Sequence, residues 1–198
     1  MIASVPSPPL LLPGATGGRV AEVEQLRDAC VAAVAELLAD GPAEITVIGA
    51  VRPAWTGGRP LAELVGAGLL ADAGCTVASQ FVAVEPEAGP QRCLQAGRAL
   101  AGRPLLVVAD GSARRGLKAP GYLDERAAPF DAELLAALQA GDPARLADLD
   151  PDRAAQLMVA GRAVWQVMAG ATEGRSWQTH THYADDPFGV FYPVVSWR

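Results

Sequence analysis

His180 and His182 are the only imidazoles in this 198-residue chain, and Asp185 and Asp186 follow within a few positions. On an extended segment, side chains two residues apart point to the same side. The two histidines with one of these carboxylates therefore offer a two-nitrogen, one-oxygen set for Zn or Fe. The plainer reading is a pair of solvated imidazoles on a surface segment, because a lone His-x-His motif becomes a site only in the right structural context. A second group lies in Asp110-Gly111-Ser112-Ala113-Arg114-Arg115 with nearby Lys118. Guanidinium forks match carboxylate and phosphate oxygens, so this turn suits a small anion. The alternative is a solvated loop in which Asp110 caps the turn through its own backbone.

Other motifs exclude chemistry rather than suggest it. Gly14-Ala15-Thr16-Gly17-Gly18 lacks the Lys-Ser/Thr of a phosphate-binding loop, and Ser7 lies in no Gly-x-Ser-x-Gly turn, so neither a nucleotide cradle nor a serine hydrolase is indicated. Cys30, Cys75 and Cys93 are too widely spaced for a thiolate zinc site or a disulfide framework, and reduced thiols in a cytoplasmic protein are expected. A net charge of −6 opposes binding to nucleic acid and to anionic membrane surfaces. Residues 1–12 are apolar but carry Pro6, Pro8 and Pro9 and no basic start, which fits neither a signal peptide nor a membrane helix.

The elements that must position these groups follow from periodicity. With 51% hydrophobic and 19% charged residues and no long polar tract, the chain can bury the core of one domain spanning residues 1–198. Met1 to Val5 reads as a strand ended by Pro6-Ser7-Pro8-Pro9. Val20, Val23, Leu26, Cys30, Val34, Leu37 and Leu38 follow helical spacing until Gly41-Pro42. Ile45 to Val51 is β-branched and apolar throughout, as in a strand covered on both faces. Helices around Leu61 to Leu70 and Gln91 to Leu100 alternate with strands around Thr76 to Val84 and Leu105 to Val108. This alternation predicts an α/β domain of three layers with a mainly parallel sheet. Asp110 to Pro129 has no clear period and is expected to be a long functional or mobile loop. Helices are then expected at Asp131 to Leu138 and over Arg153 to Met168, with Leu157, Val159, Val164, Trp165 and Met168 facing the core. The segment from His180 to Phe188 is expected to lead as a loop into a last strand, Val190 to Trp197. Pro187 to Tyr192 suits either subunit pairing or interior packing.

Ligands of parallel α/β sheets gather outside the carboxyl ends of strands, which directs attention to Ser7, the Gly49 to Thr56 segment and Asp110 to Arg115. Here Val5-Pro6-Ser7-Pro8-Pro9-Leu10-Leu11 and Asp110-Gly111-Ser112-Ala113-Arg114-Arg115, with Lys118 to Asp124 and Tyr183 to Val190, resemble the LigB-like class III extradiol ring-cleavage dioxygenases. More narrowly, they resemble a short, actinobacterial-type branch of that group. The resemblance implies the LigB-like fold and, in the family, ring opening of a catechol with O2 at Fe(II) held by two histidines and a glutamate, with a further histidine as acid/base. At the matching positions this chain has Ser7 in place of the first ligand and Ala113, after Asp110 and Ser112, in place of the base. The segment after the second strand, with Arg52 and Trp55, contains no histidine, cysteine or carboxylate. Asp185 or Asp186 stands where the carboxylate ligand belongs.

The expectation is therefore a repurposed or non-catalytic relative that needs no cofactor. It would bind a small anionic or aromatic ligand through Ser7, Arg52, Trp55, Asp110, Ser112, Arg114 and Arg115, or pair as a homodimer or with a partner subunit. The competing expectation is an active dioxygenase or other metalloenzyme with a rearranged Zn or Fe site at His180, His182 and Asp185 or Asp186.

Overall fold

The structure is a computed structural model and describes residues 1–51 and 58–198. Strands β1 (Ile2–Val5), β2 (Glu44–Ala50) and β4 (Leu105–Val108) are aliphatic and buried almost throughout, because helices cover both faces of the sheet. With β3 (Ala78–Val84), β5 (Thr179–Asp185) and β6 (Tyr192–Trp197) they form one six-stranded sheet in the order β3-β2-β4-β1-β6-β5. The first four strands in that order are mutually parallel, whereas β6 runs antiparallel to both β1 and β5. The fold is thus α/β, but the sheet is mixed.

Helices α1 (Ala21–Leu38) and α2 (Leu61–Asp72) cover one face, where Leu26, Cys30, Val34 and Val65 meet Val5, Val47, Leu106 and Val194. The other face carries α3 (Pro90–Arg98), α4 (Ala127–Ala140), the short α5 (Pro143–Ala147) and α6 (Pro151–Gln156), and α7 (Arg162–Thr172). There Leu134, Leu138, Trp165 and Met168 pack on Ile48, Leu105, Val107 and Trp197. Among the described residues no helix is long and apolar enough to cross a membrane.

Three expectations are corrected. The single late helix is broken into α6 and α7, because Met158 adopts a left-handed backbone (φ 55°) and the Gly161 amide donates to the Asp110 carbonyl at 2.9 Å. A side chain at Gly161 would meet the Trp165 ring at 2.6 Å, so only glycine lets the chain touch the end of β4 there. The expected loop before the last strand is instead β5, a polar edge strand with a bulge between Thr181 and Tyr183. Phe191 and Tyr192 are buried, so the Pro187 to Tyr192 end packs inward. The 110–126 segment is not a slack loop: Ala113 donates to Leu157, Arg115 to Gly189, Gly121 to Ala113 and Asp124 to Arg114 through their backbones.

Helices α3 and α7 meet backbone to backbone. A Cβ on Gly170 would overlap the Leu94 carbonyl, and one on Gly97 the Val167 carbonyl. Gly170→Ala should therefore lower the unfolding free energy by about 1–3 kcal/mol through overpacking. Gly68→Ala, on open space in α2, should instead raise it by roughly 0.5–1 kcal/mol. Urea denaturation midpoints of the two variants check the contrast.

Candidate functional site

The topology opens a crevice beside β4. The chain leaves β1 and β2 toward the α1 and α2 face, but leaves β4 toward the α4 face, so neighbouring strand ends diverge. A cleft of about 900 Å³ occupies this edge, within the usual size range for small-molecule sites. Its walls are largely apolar, including Pro9, Leu61, Val159 and Val190, with Ser7, Asp110 and Arg162 as inner polar groups and Glu87 and Asp152 also lining it.

Ser7 and Asp110 join the ends of β1 and β4. The Ser7 amide donates to one Asp110 carboxylate oxygen at 2.7 Å and its hydroxyl to the other at 2.9 Å. Arg162 begins α7 and is almost wholly buried. Its guanidinium donates to the carbonyls of Ala88 (2.5 Å) and Pro86 (2.5 Å) and to the Gln166 side-chain oxygen (3.0 Å). Among the described residues no carboxylate lies within ion-pair distance of it. Among the described residues this buried cation is held by neutral oxygens at the positive end of a helix dipole, so it places a local positive charge on the cleft wall.

The other expected anion-binding groups are engaged elsewhere. Ser112 turns away from the cleft and donates its amide (3.0 Å) and hydroxyl (2.5 Å) to the buried carboxylate of Asp131. Arg114 donates to the carbonyls of Gly121 (2.8 Å) and Gln156 (2.9 Å), fastening the 110–126 segment to α6. Arg115 donates to Asp186 at 2.5 Å, lies 3.8 Å from Asp131 and sits over the Phe191 ring. Ala113 lines the cleft with a methyl group. Arg52 and Trp55 lie outside the described residues.

His180 and His182 do not join this edge. His180 is in register with Ser196, and Ser196 with Ala3 near the start of β1, whereas Ser7 follows its end. Nor do Asp185 and Asp186 accompany them: Asp185 is in register with Tyr192, and Asp186 holds Arg115. The companion carboxylate is Glu36, from the last turn of α1, at 2.9 Å from His180 Nδ1 and 3.6 Å from His182 Nε2. Burial alone would raise the Glu36 carboxyl, but hydrogen bonds from Ser196 and His180 and the nearby His182 hold it below its ordinary value. Burial outweighs Glu36 at His182 and lowers that imidazole.

Sequence reading missed Glu36, Asp131 and Arg162. For Arg162 a signal existed: Arg162 and Gln166, four apart, interrupt an otherwise apolar helix, so one buried polar group could satisfy the other. Fold and cleft together define an α/β protein with a ligand-sized crevice at the carboxyl edge of a mixed sheet. In comparisons with known proteins, no family model matches the chain and no curated protein matches it.

Burial raises the Asp131 carboxyl above its ordinary 3.8, against the opposing pull of the Ser112 hydrogen bonds and of Arg115. The folded state then holds this proton more tightly than the unfolded chain, so the group's contribution to stability declines as pH rises from about 4 until its folded pKa is passed. The difference in unfolding free energy between the wild type and Asp131→Asn should fall over that window. Urea melts at stepped pH measure it, and a difference independent of pH contradicts the assignment.

Proposed function

We propose that this chain is a ligand-binding relative of the LigB-like extradiol dioxygenases, holding a small organic acid in the strand-end cleft without the family's iron chemistry. The observation that carries the reading is Arg162, a buried guanidinium on the cleft wall whose partners among the described residues are uncharged oxygens. A carboxylate on the ligand would complete its charge, and the apolar walls suit an aromatic or aliphatic body. Ser7 and Asp110 give the cleft a polar hydrogen-bonding end for ligand hydroxyls.

The residues at this edge do not fit Fe(II). The Ser7 hydroxyl donates to Asp110, Ala113 carries no ligand atom, and the chain's two imidazoles are on β5. A neutral hydroxyl and a methyl group supply neither a facial triad nor a base.

Thermal-shift and calorimetric titrations with benzoate, hydroxybenzoates and aliphatic dicarboxylates test the reading. At least one acid should bind and raise the melting temperature, and its neutral amide analogue should bind about tenfold more weakly or worse, since a charged hydrogen bond is worth about 1.5–3 kcal/mol. Ala155 lies exposed on α6 at the cleft, so Ala155→Trp should block binding while leaving the unliganded protein folded. Absence of any shift across the panel overturns the proposal.

A protein partner is a second reading, favoured by Leu117, Tyr122, Leu123 and Met158, which are 78%, 73%, 48% and 47% exposed on and beside the 110–126 segment. Such apolar groups clustered near a cleft mouth suit an interface with a second copy or another subunit. For self-association, light scattering should show concentration-dependent dimers that the double variant Leu117→Ser, Tyr122→Ser abolishes. A monomer at every concentration removes the homodimer.

A further inference from the structure

We propose that Glu36, His180 and His182 form a binding site for a divalent transition-metal ion, zinc by its ligand set, at the seam between the last turn of α1 and the edge strand β5. The strand supplies the geometry. His180 faces α1 because it is in register with Ser196, and His182, two residues on, shares that face by strand alternation, with the bulge between Thr181 and Tyr183 bringing Tyr183 to it as well. There both rings meet Glu36 and stand 4.1 Å apart, centroid to centroid.

The spacing of the ligand atoms is compatible with a single ion. Ligands at 2.0–2.1 Å around a tetrahedral ion are separated by roughly 3.3 Å. The two imidazole nitrogens lie 2.9 and 3.6 Å from the Glu36 oxygens, and one ligand atom from each residue falls within 4.8 Å of the others. Only small adjustments bring all three onto one ion. Ser196 Oγ donates to Glu36 Oε2 at 2.5 Å and lies 3.1 Å from His182 Nε2, so the hydroxyl orders the carboxylate and the ion would take its place on that imidazole nitrogen.

The chemistry of the donors selects the ion. Two imidazoles and one carboxylate favour zinc and the later first-row metals over magnesium or calcium, which prefer all-oxygen shells. His180 has 62% of its side chain exposed, so the fourth position of a tetrahedral ion opens to solvent and a water molecule would fill it. The bound ion would tie α1 to the sheet's last strand. This site lies at the opposite end of the sheet from the cleft and does not rest on the ligand-binding reading.

Calorimetric titration of untagged, chelator-treated full-length protein with ZnCl2 should give one equivalent bound with micromolar or tighter affinity. Saturating zinc should raise the melting temperature by roughly 5 °C or more. Co2+ in place of zinc should give the intense visible absorption of a four-coordinate ion. His180→Ala, at an exposed position, should abolish binding and the thermal gain while leaving the apo melting temperature near that of the wild type. Glu36→Gln should weaken binding at least tenfold, whereas Asp185→Asn and Asp186→Asn should leave it unchanged. Absence of stoichiometric binding, or binding that survives His180→Ala, overturns the site. Loss of binding in Asp185→Asn with Glu36→Gln unaffected does so as well.

Discussion

Asp110 is the point at which the working edge of this protein is fastened. Its carboxylate takes the amide and hydroxyl of Ser7 after β1, while its own carbonyl accepts the Gly161 amide just ahead of α7. One residue later, Gly111 donates to the Phe191 carbonyl beside β6. Strand ends that leave toward opposite faces would otherwise splay apart, since the parallel pairing of β1 with β4 finishes at the Ala109 amide on the Val5 carbonyl. A charged acceptor at this point replaces the missing ladder with shorter, stronger hydrogen bonds. The break between α6 and α7, the glycine at 161 and the placement of Arg162 on the cleft wall all follow from that anchorage.

Charge burial is handled in two ways on the α4 and α7 side of the sheet. Asp131 is buried with two donors from Ser112 and with Arg115 close by. Arg162 is buried with carbonyls and an amide oxygen. The first arrangement is largely neutralised locally and serves the framework. The second satisfies hydrogen bonding through neutral oxygens, with no carboxylate in ion-pair distance among the described residues.

Much of the architecture was legible from periodicity alone. Ile45 to Val51 could only be a strand covered twice, and the spacing from Val23 to Leu37 only a helix with one buried face. Position relative to strand ends also located the cleft, because Ser7 and Asp110 follow apolar strands directly. Side-chain allegiance was not legible. Arg114 and Arg115 look like anion ligands in sequence, yet the chain's return past Gly121, Gln156 and Asp186 claims both. Glu36 lies far from the histidines in sequence, and only the packing of α1 over the hairpin makes it their neighbour. Strand β5 was hidden because Thr179-His180-Thr181-His182 is polar at nearly every position, and an edge strand half open to water has no apolar alternation to betray it.

The bulge in β5 has a consequence beyond the hairpin itself. An open sheet ends in a row of unpaired amides and carbonyls that can recruit a foreign strand, and β5 is such an edge. The extra residue between Thr181 and Tyr183 breaks the even spacing of those groups and adds local twist. An incoming strand would find no straight template on which to dock. The same irregularity that sets Tyr183 beside Val194 thus terminates the sheet and discourages its growth into fibres.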